Sequence, residues 1–265
     1  MRTIITALAL VWATFSGAET LIVGVEQQDF HPHYWVDKDQ QYQGFGRDLL
    51  DEFARQNGHK LVYKPYPAEA LTQALLKGEI HLKYPDHPEW AKGQKSSHKV
   101  AYSQPIVDII DGTLVNPIRK YKGISQVKKL GMIDGFSPWI YQKQIDEAKI
   151  STQSTDSLKQ LIRAGLKNKV DGVYYNVVVA TYYMDNIRQF PLVLVFDETL
   201  PFVKSNFRMS SISKPDVVKQ MDQFLRDQSQ RVAKLKEEYE VERNIDTEFV
   251  GLEQWRINFM KKEKL

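Results

Sequence analysis

Cysteine is absent from the 265 residues. No disulfide can brace the chain, so its stability has to come from a buried core, which this length and a hydrophobic fraction of 42% allow. An excess of charge of either sign is missing too, since 36 Lys and Arg face 33 Asp and Glu. The two signs are interspersed and no dense basic stripe interleaved with aromatics appears, which argues against a nucleic-acid partner. After the first residues there is no apolar run of membrane-spanning length, so neither an anchor nor a permease segment is expected there. Catalytic signatures are lacking as well: there is no Gly-x-Ser-x-Gly, no P-loop, no His-Glu-x-x-His and no Gly-x-Gly-x-x-Gly between strand and helix. No cofactor is expected.

What is present begins with Met1-Arg2, an apolar run from Ile4 to Phe15, and Ser16-Gly17-Ala18-Glu19. One positive charge, an apolar stretch too short to span a bilayer and small residues at Ser16 and Ala18 outline a signal peptide cut after Ala18. Cleavage leaves 35 basic and 33 acidic residues, a net charge of +2. The expected product is exported and monomeric.

Alternating elements follow. Leu21–Val25 reads as a buried strand, 47–57 as an amphipathic helix stopped by Gly58, and 61–63 as a strand. Residues 68–76 read as a helix closed by Lys77-Gly78, and 80–84 as a third strand. A second set reads as a strand over 129–133, helices over 138–148 and 157–167, a strand over 170–174, a helix over 177–185 and a strand over 192–196. The tail adds a strand over 207–211 and helices over 215–227 and 231–239. Such alternation implies mainly parallel sheets, with ligands beyond the carboxyl ends of the strands. One strand and two helices are too little for a third domain and enough to complete the first lobe. Lobe 1 is therefore expected over 19–112 and 206–265 and lobe 2 over 113–205. The chain would cross between them near 111–116 and 202–207.

Gly44-Phe45-Gly46-Arg47-Asp48-Leu49-Leu50 resembles a signature of family 3 of the bacterial extracellular solute-binding proteins. Phe30-His31-Pro32, Leu71 to Ile80, Tyr102-Ser103-Gln104-Pro105 and Val170-Asp171-Gly172 resemble further segments of that family, in the same order. The resemblance implies an α/β type II periplasmic binding protein fold, two lobes on a two-strand hinge that close around a small molecule. It also implies delivery to a membrane partner, an ABC-type importer or a sensor, without chemistry on the cargo. Two departures bear on the ligand. The loop Pro85-Asp86-His87-Pro88-Glu89-Trp90-Ala91-Lys92 has no Arg to pair with a carboxylate, and Asn176 stands where family members that bind α-amino acids place an Asp. The expected ligand is small and polar but not a simple α-amino acid. The alternative implied by the resemblance is a dehydratase-like enzyme acting on a small cyclic acid, with Glu26, Asp86 or Lys92 for acid–base work.

Candidate ligand-binding residues cluster at strand ends. Aromatic walls are offered by Phe30, Tyr34, Tyr84, Trp90, Trp139 and Tyr175, although core packing would use the same residues. Glu26 and Asp86 are carboxylates at strand termini that would receive a hydroxyl or amine, or cap a turn. Around Gly135, Phe136 and Ser137 a helix start would present free N–H groups to an anionic end of the ligand, with Ser137 as N-cap and Pro138 at the first position. The same pattern also serves a helix that is merely well capped. Asn176 completes the set. His31-Pro32-His33 brings two imidazoles close, but no third ligand joins them and the proline marks a turn, so no metal is expected.

Overall fold

The computed structural model describes residues 19–134, 136 and 138–243. The signal-peptide stretch, Gly135, Ser137 and residues 244–265 lie outside the described residues.

The first strand, β1 (Thr20–Glu26), leads through a short hairpin of β2 (Trp35–Val36) and β3 (Tyr42–Gln43) to α1 (Phe45–Asn57). Helix α1 starts at Gly44, whose φ of 99° suits only glycine, and stops at Gly58 in the left-handed region. A Cβ at Gly46 would lie 2.6 Å from the Tyr42 hydroxyl and 2.7 Å from the Tyr84 ring, so both glycines of this stretch allow the helix to approach its neighbours. Next come β4 (Lys60–Tyr66), α2 (Ala68–Leu76), β5 (Leu82–Asp86), a single turn α3 (Lys92–Lys95) and β6 (Ala101–Tyr102). Strands β4, β1 and β5 are parallel neighbours. Strand β5 begins two residues later than expected because Ile80 is drawn under α2, where it packs with Leu71, Ala74 and Leu75.

The second unit comprises β8 (Lys129–Ile133), α4 (Gln142–Asp146), β9 (Ser151–Thr155), α5 (Leu158–Leu166), β10 (Gly172–Asn176) and α6 (Val177–Tyr182). Strands β10, β8 and β9 are again parallel. The helix expected over 138–148 is instead a 3-10 turn at Trp139–Tyr141 followed by five residues of α-helix. Strand β10 is displaced two residues toward Asn176, because the Asp171 carboxylate accepts from the Lys128 and Lys129 amides (2.9 Å each) and holds the chain at the sheet edge. Strand β9, Ser-Thr-Gln-Ser-Thr, has no apolar periodicity and was not expected; it is an edge strand held by its ladder with β8.

Two nine-residue strands join the units: β7 (Val107–Val115) leaves the first, and β12 (Val203–Ser211) returns, after the two-residue β11 (Val195–Phe196). They pair antiparallel from Val203↔Asp111 to Phe207↔Val107, giving the order β4-β1-β5-β12-β7-β10-β8-β9. The ends of the chain's two crossings thus lie side by side. After β12, α7 (Pro215–Asp227) and α8 (Ser229–Tyr239) pack on α1, where Phe224 meets the Phe53 ring edge-on at 5.8 Å. No helix of the described residues is long and apolar enough to cross a membrane.

Candidate functional site

The C-terminal end of β1 places Glu26 at the boundary between the units, half-buried, with the Tyr34 hydroxyl donating to it at 2.6 Å. Burial raises the Glu26 carboxyl and the Tyr34 bond only partly opposes this. Phe30 and Tyr34 bond to each other through their backbones at 2.9 Å, and this turn folds both rings inward, stacked at 5.1 Å. They rest on Phe207 of β12, against which Trp90 packs edge-on at 5.7 Å. The two imidazoles diverge. His33 is fully buried edge-on to Phe207, where desolvation lowers it to about 3 and keeps it neutral, whereas His31 stacks on Trp35 and bonds Asp29. Among the described residues no three His, Cys, Asp or Glu side chains gather as a metal would require.

Asp86 is placed differently from the open strand end that its position suggested. It is fully buried and accepts from Lys83 (2.9 Å), Lys95 (3.2 Å), Ser210 (2.6 Å) and the His87 amide (2.8 Å). Four donors use the acceptor capacity of a carboxylate. Its work in this conformation is to tie β5, α3 and β12 together. Tyr84 is likewise inside, its ring against Gly46 and its hydroxyl without a protein partner.

The facing wall comes from β10. Tyr175 is buried between Phe136 (5.0 Å) and Phe30 (5.6 Å), and Gln28 donates to its hydroxyl at 3.1 Å. Residues separated by 147 positions therefore close on one another across the boundary. Asn176 caps α6, its Oδ1 accepting from the Val179 amide at 3.0 Å, while its Nδ2 makes no bond of good geometry and reaches the Asp111 carboxyl only loosely. Directly opposite on β7 stands Asp111, whose carboxyl is raised to about 6 by burial, an effect that the Asn176 amide only partly offsets.

Of the twelve residues nominated from the sequence, the structure brings together Glu26, Phe30, Tyr34, Phe136 and Tyr175, with Trp90 and Asn176 at the margins. Trp139 does not join them. At 63% exposure it begins the 3-10 turn and meets none of these rings, so the aromatic walls expected at the strand ends lose this member. The expected N-cap, Ser137, and Gly135 lie outside the described residues; the turn has Pro138 at its N-cap position, with no side-chain bond. Gln28, Phe207 and Asp111 were missed. An acid inside the apolar run Ile109-Ile110-Asp111-Gly112-Thr113-Leu114 was the available signal for the last of these. For acid–base work, Lys92 is exposed and paired with Glu89 at 3.0 Å, Asp86 is saturated, and only Glu26 stands at the boundary.

The model of the family described as bacterial extracellular solute-binding proteins, family 3, matches residues 21–243. No curated protein matches the sequence. Among solved structures, an arginine 3rd transport system periplasmic binding protein from Legionella pneumophila is similar with a TM-score of 0.65 at 16% identity, over 84% of this chain and 100% of that one. A Salmonella typhimurium periplasmic binding protein with high arginine specificity gives 0.63 at 16%, over 84% and 99%. An ancestral amino-acid-binding protein, a precursor of cyclohexadienyl dehydratase, gives 0.64 at 20%, over 83% and 94%. At these identities the likeness is one of fold: that of the type II periplasmic binding proteins.

Proposed function

Because the chain belongs to the bacterial extracellular solute-binding proteins, family 3, we propose that it is exported to the periplasm, captures a small polar molecule between two lobes and passes it unchanged to a membrane importer or sensor. The lobes we assign to residues 19–112 with 206–243, and to 113–205. The observation that carries this reading is the meeting of strand-end side chains across the boundary. Gln28 and Phe30 on one side contact Tyr175 on the other, beside the paired crossings β7 and β12. A ligand seated there touches both lobes, and its binding energy goes into closure.

The ligand is not a simple α-amino acid. The loop after β5 has no Arg, so the buried carboxylate of such a ligand would be poorly compensated, at several kcal/mol. The arginine specificity of the similar structures is therefore not carried over. A dehydratase reading has one observation in its favour: Glu26, a carboxyl raised by burial, stands at the boundary as a general acid would.

Native mass spectrometry of freshly purified protein identifies any copurified molecule and shows whether it leaves unchanged or as product. Calorimetry against the twenty amino acids tests the ligand class, and submicromolar binding of any of them refutes it. Scattering with and without saturating ligand should show compaction, and an unchanged radius of gyration speaks against capture by closure.

A further inference from the structure

Asp111 and Asn176 face each other in the antiparallel pair of β7 and β10, and opposed residues of such a pair project to the same side of the sheet. An acceptor and a donor therefore lie together at the end of β10 that faces the first unit. Neither has another partner among the described residues. The buried Asn176 amide nitrogen makes no bond of good geometry and reaches only the Asp111 carboxyl, loosely. No cation is among the groups that act on the Asp111 carboxyl. The neighbouring Tyr175 hydroxyl senses three carboxylates, Glu26, Asp111 and Asp29, and no lysine or arginine. The fully buried lysines among the described residues, Lys83 and Lys95, are bound to Asp86. Rings complete the surroundings, Phe30 and Phe136 on Tyr175 and Tyr174 beside Asp111. The cavity of about 600 Å³ found elsewhere, lined in part by Ile106, Val232 and Lys236, lies behind the first unit and competes for none of these groups.

We propose that Asp111 and Asn176 form the polar end of the ligand site, and that the ligand is an organic ammonium ion without an α-carboxylate. The ammonium sits on Asp111, the Asn176 amide turns from its loose contact with Asp111 to donate to an oxygen beside it, and the aromatic rings cover the remaining face, where ring quadrupoles favour a cation. This deepens the proposed capture of a small molecule and rests on it. A buried carboxylate with no counter-charge is unfavourable until a cation arrives, so affinity is drawn from the charge itself.

One phenolic body with four end groups isolates that charge: tyramine, tyrosol, hydroxyphenylacetate and tyrosine, with putrescine as a cation lacking a ring. Calorimetry on the whole protein should show tyramine or putrescine bound at least tenfold tighter than tyrosol, hydroxyphenylacetate and tyrosine. Asp111→Asn should erase that preference, and Asp111→Glu should keep most of it. Should either variant fail to fold, the ranking of end groups by the unaltered protein decides. Silence of both amines overturns the proposal, as does an Asp111→Asn protein that binds them undiminished. Binding of tyrosol or hydroxyphenylacetate with the amines silent overturns the ammonium assignment while leaving capture intact. Absence of compaction with every copurified molecule counts against capture itself.

Discussion

Replacing Asp86 by Asn separates a brace from a ligand anchor. The lysines that share its carboxylate are only 4% exposed in their side chains. Without the negative charge, two buried ammonium groups keep Thr72 Oγ1 and the His87 carbonyl as their other acceptors. Removing one partner of a buried pair costs about 3–5 kcal/mol, and because two cations depend on Asp86 the upper end applies. Proton loss sets a ceiling: neutralising an ordinary lysine at pH 7 costs about 5 kcal/mol, and burial already lowers the Lys95 pKa. The expected loss is about 4–5 kcal/mol, a fall in melting temperature on the order of 10–20 °C for a chain of this size. Urea unfolding followed by near-ultraviolet circular dichroism measures it. Adding Lys95→Met should restore at least about 1 kcal/mol, since it removes one stranded charge. An Asp86→Asn protein with an unchanged urea midpoint and lost ligand affinity would refute the brace and return Asp86 to the binding site.

Three further outcomes follow from residues in or beside β7 and β12. Asp111 is raised from 3.8 to about 6, so over about pH 4–6 the native state holds a proton that the unfolded chain has released, and stability falls as pH rises through that window. Asp111→Asn should therefore be more stable than the unaltered protein by about 1–3 kcal/mol at pH 7 and nearly equal at pH 4, and a gap independent of pH would exclude burial as the cause. His33 is lowered from 6.5 to about 3 and acts in the opposite sense: stability is lost as pH falls below 6.5, and His33→Gln should flatten acid unfolding curves between pH 6 and 4. Gly112→Ala sets a Cβ 2.3 Å from the Phe196 ring in β7, and overpacking of this kind costs about 1–3 kcal/mol; an unshifted urea midpoint would mean that Phe196 moves aside freely.

Local signals were sufficient for much of the fold. Helices α1, α2, α5 and α7 stand within two residues of where periodicity and stop signals put them, because amphipathic spacing and, for α1, the glycine at its C-cap act over a few residues. The signature around Gly44 and Gly46 was legible for the same reason: both glycines answer to atoms of adjoining segments. Strand β9 was not, since it is held by its ladder with another strand and its polar residues carry no period. Of the long strands, β12 is expected from the sequence only over 207–211 and β7 not at all, and their mutual ladder accompanies their extension to nine residues each.

The site divides along the same line. Sequence alone identified aromatic and acidic residues at strand ends, because a parallel sheet places its ligand there whatever the ligand is. Which of them meet was a question of tertiary distance. Asp86 reads as a free carboxylate until Lys95 and Ser210, 9 and 124 positions away, fold onto it. Asp111 reads as an oddity in an apolar run until its register with Asn176 sets an acid without a counter-charge beside a neutral amide. Residue types and their order determined the fold and its family, since these depend on patterns repeated along the chain. Charge compensation depends on neighbours within a few ångströms, and only the folded structure decided which carboxylate is spent and which stands without a counter-charge.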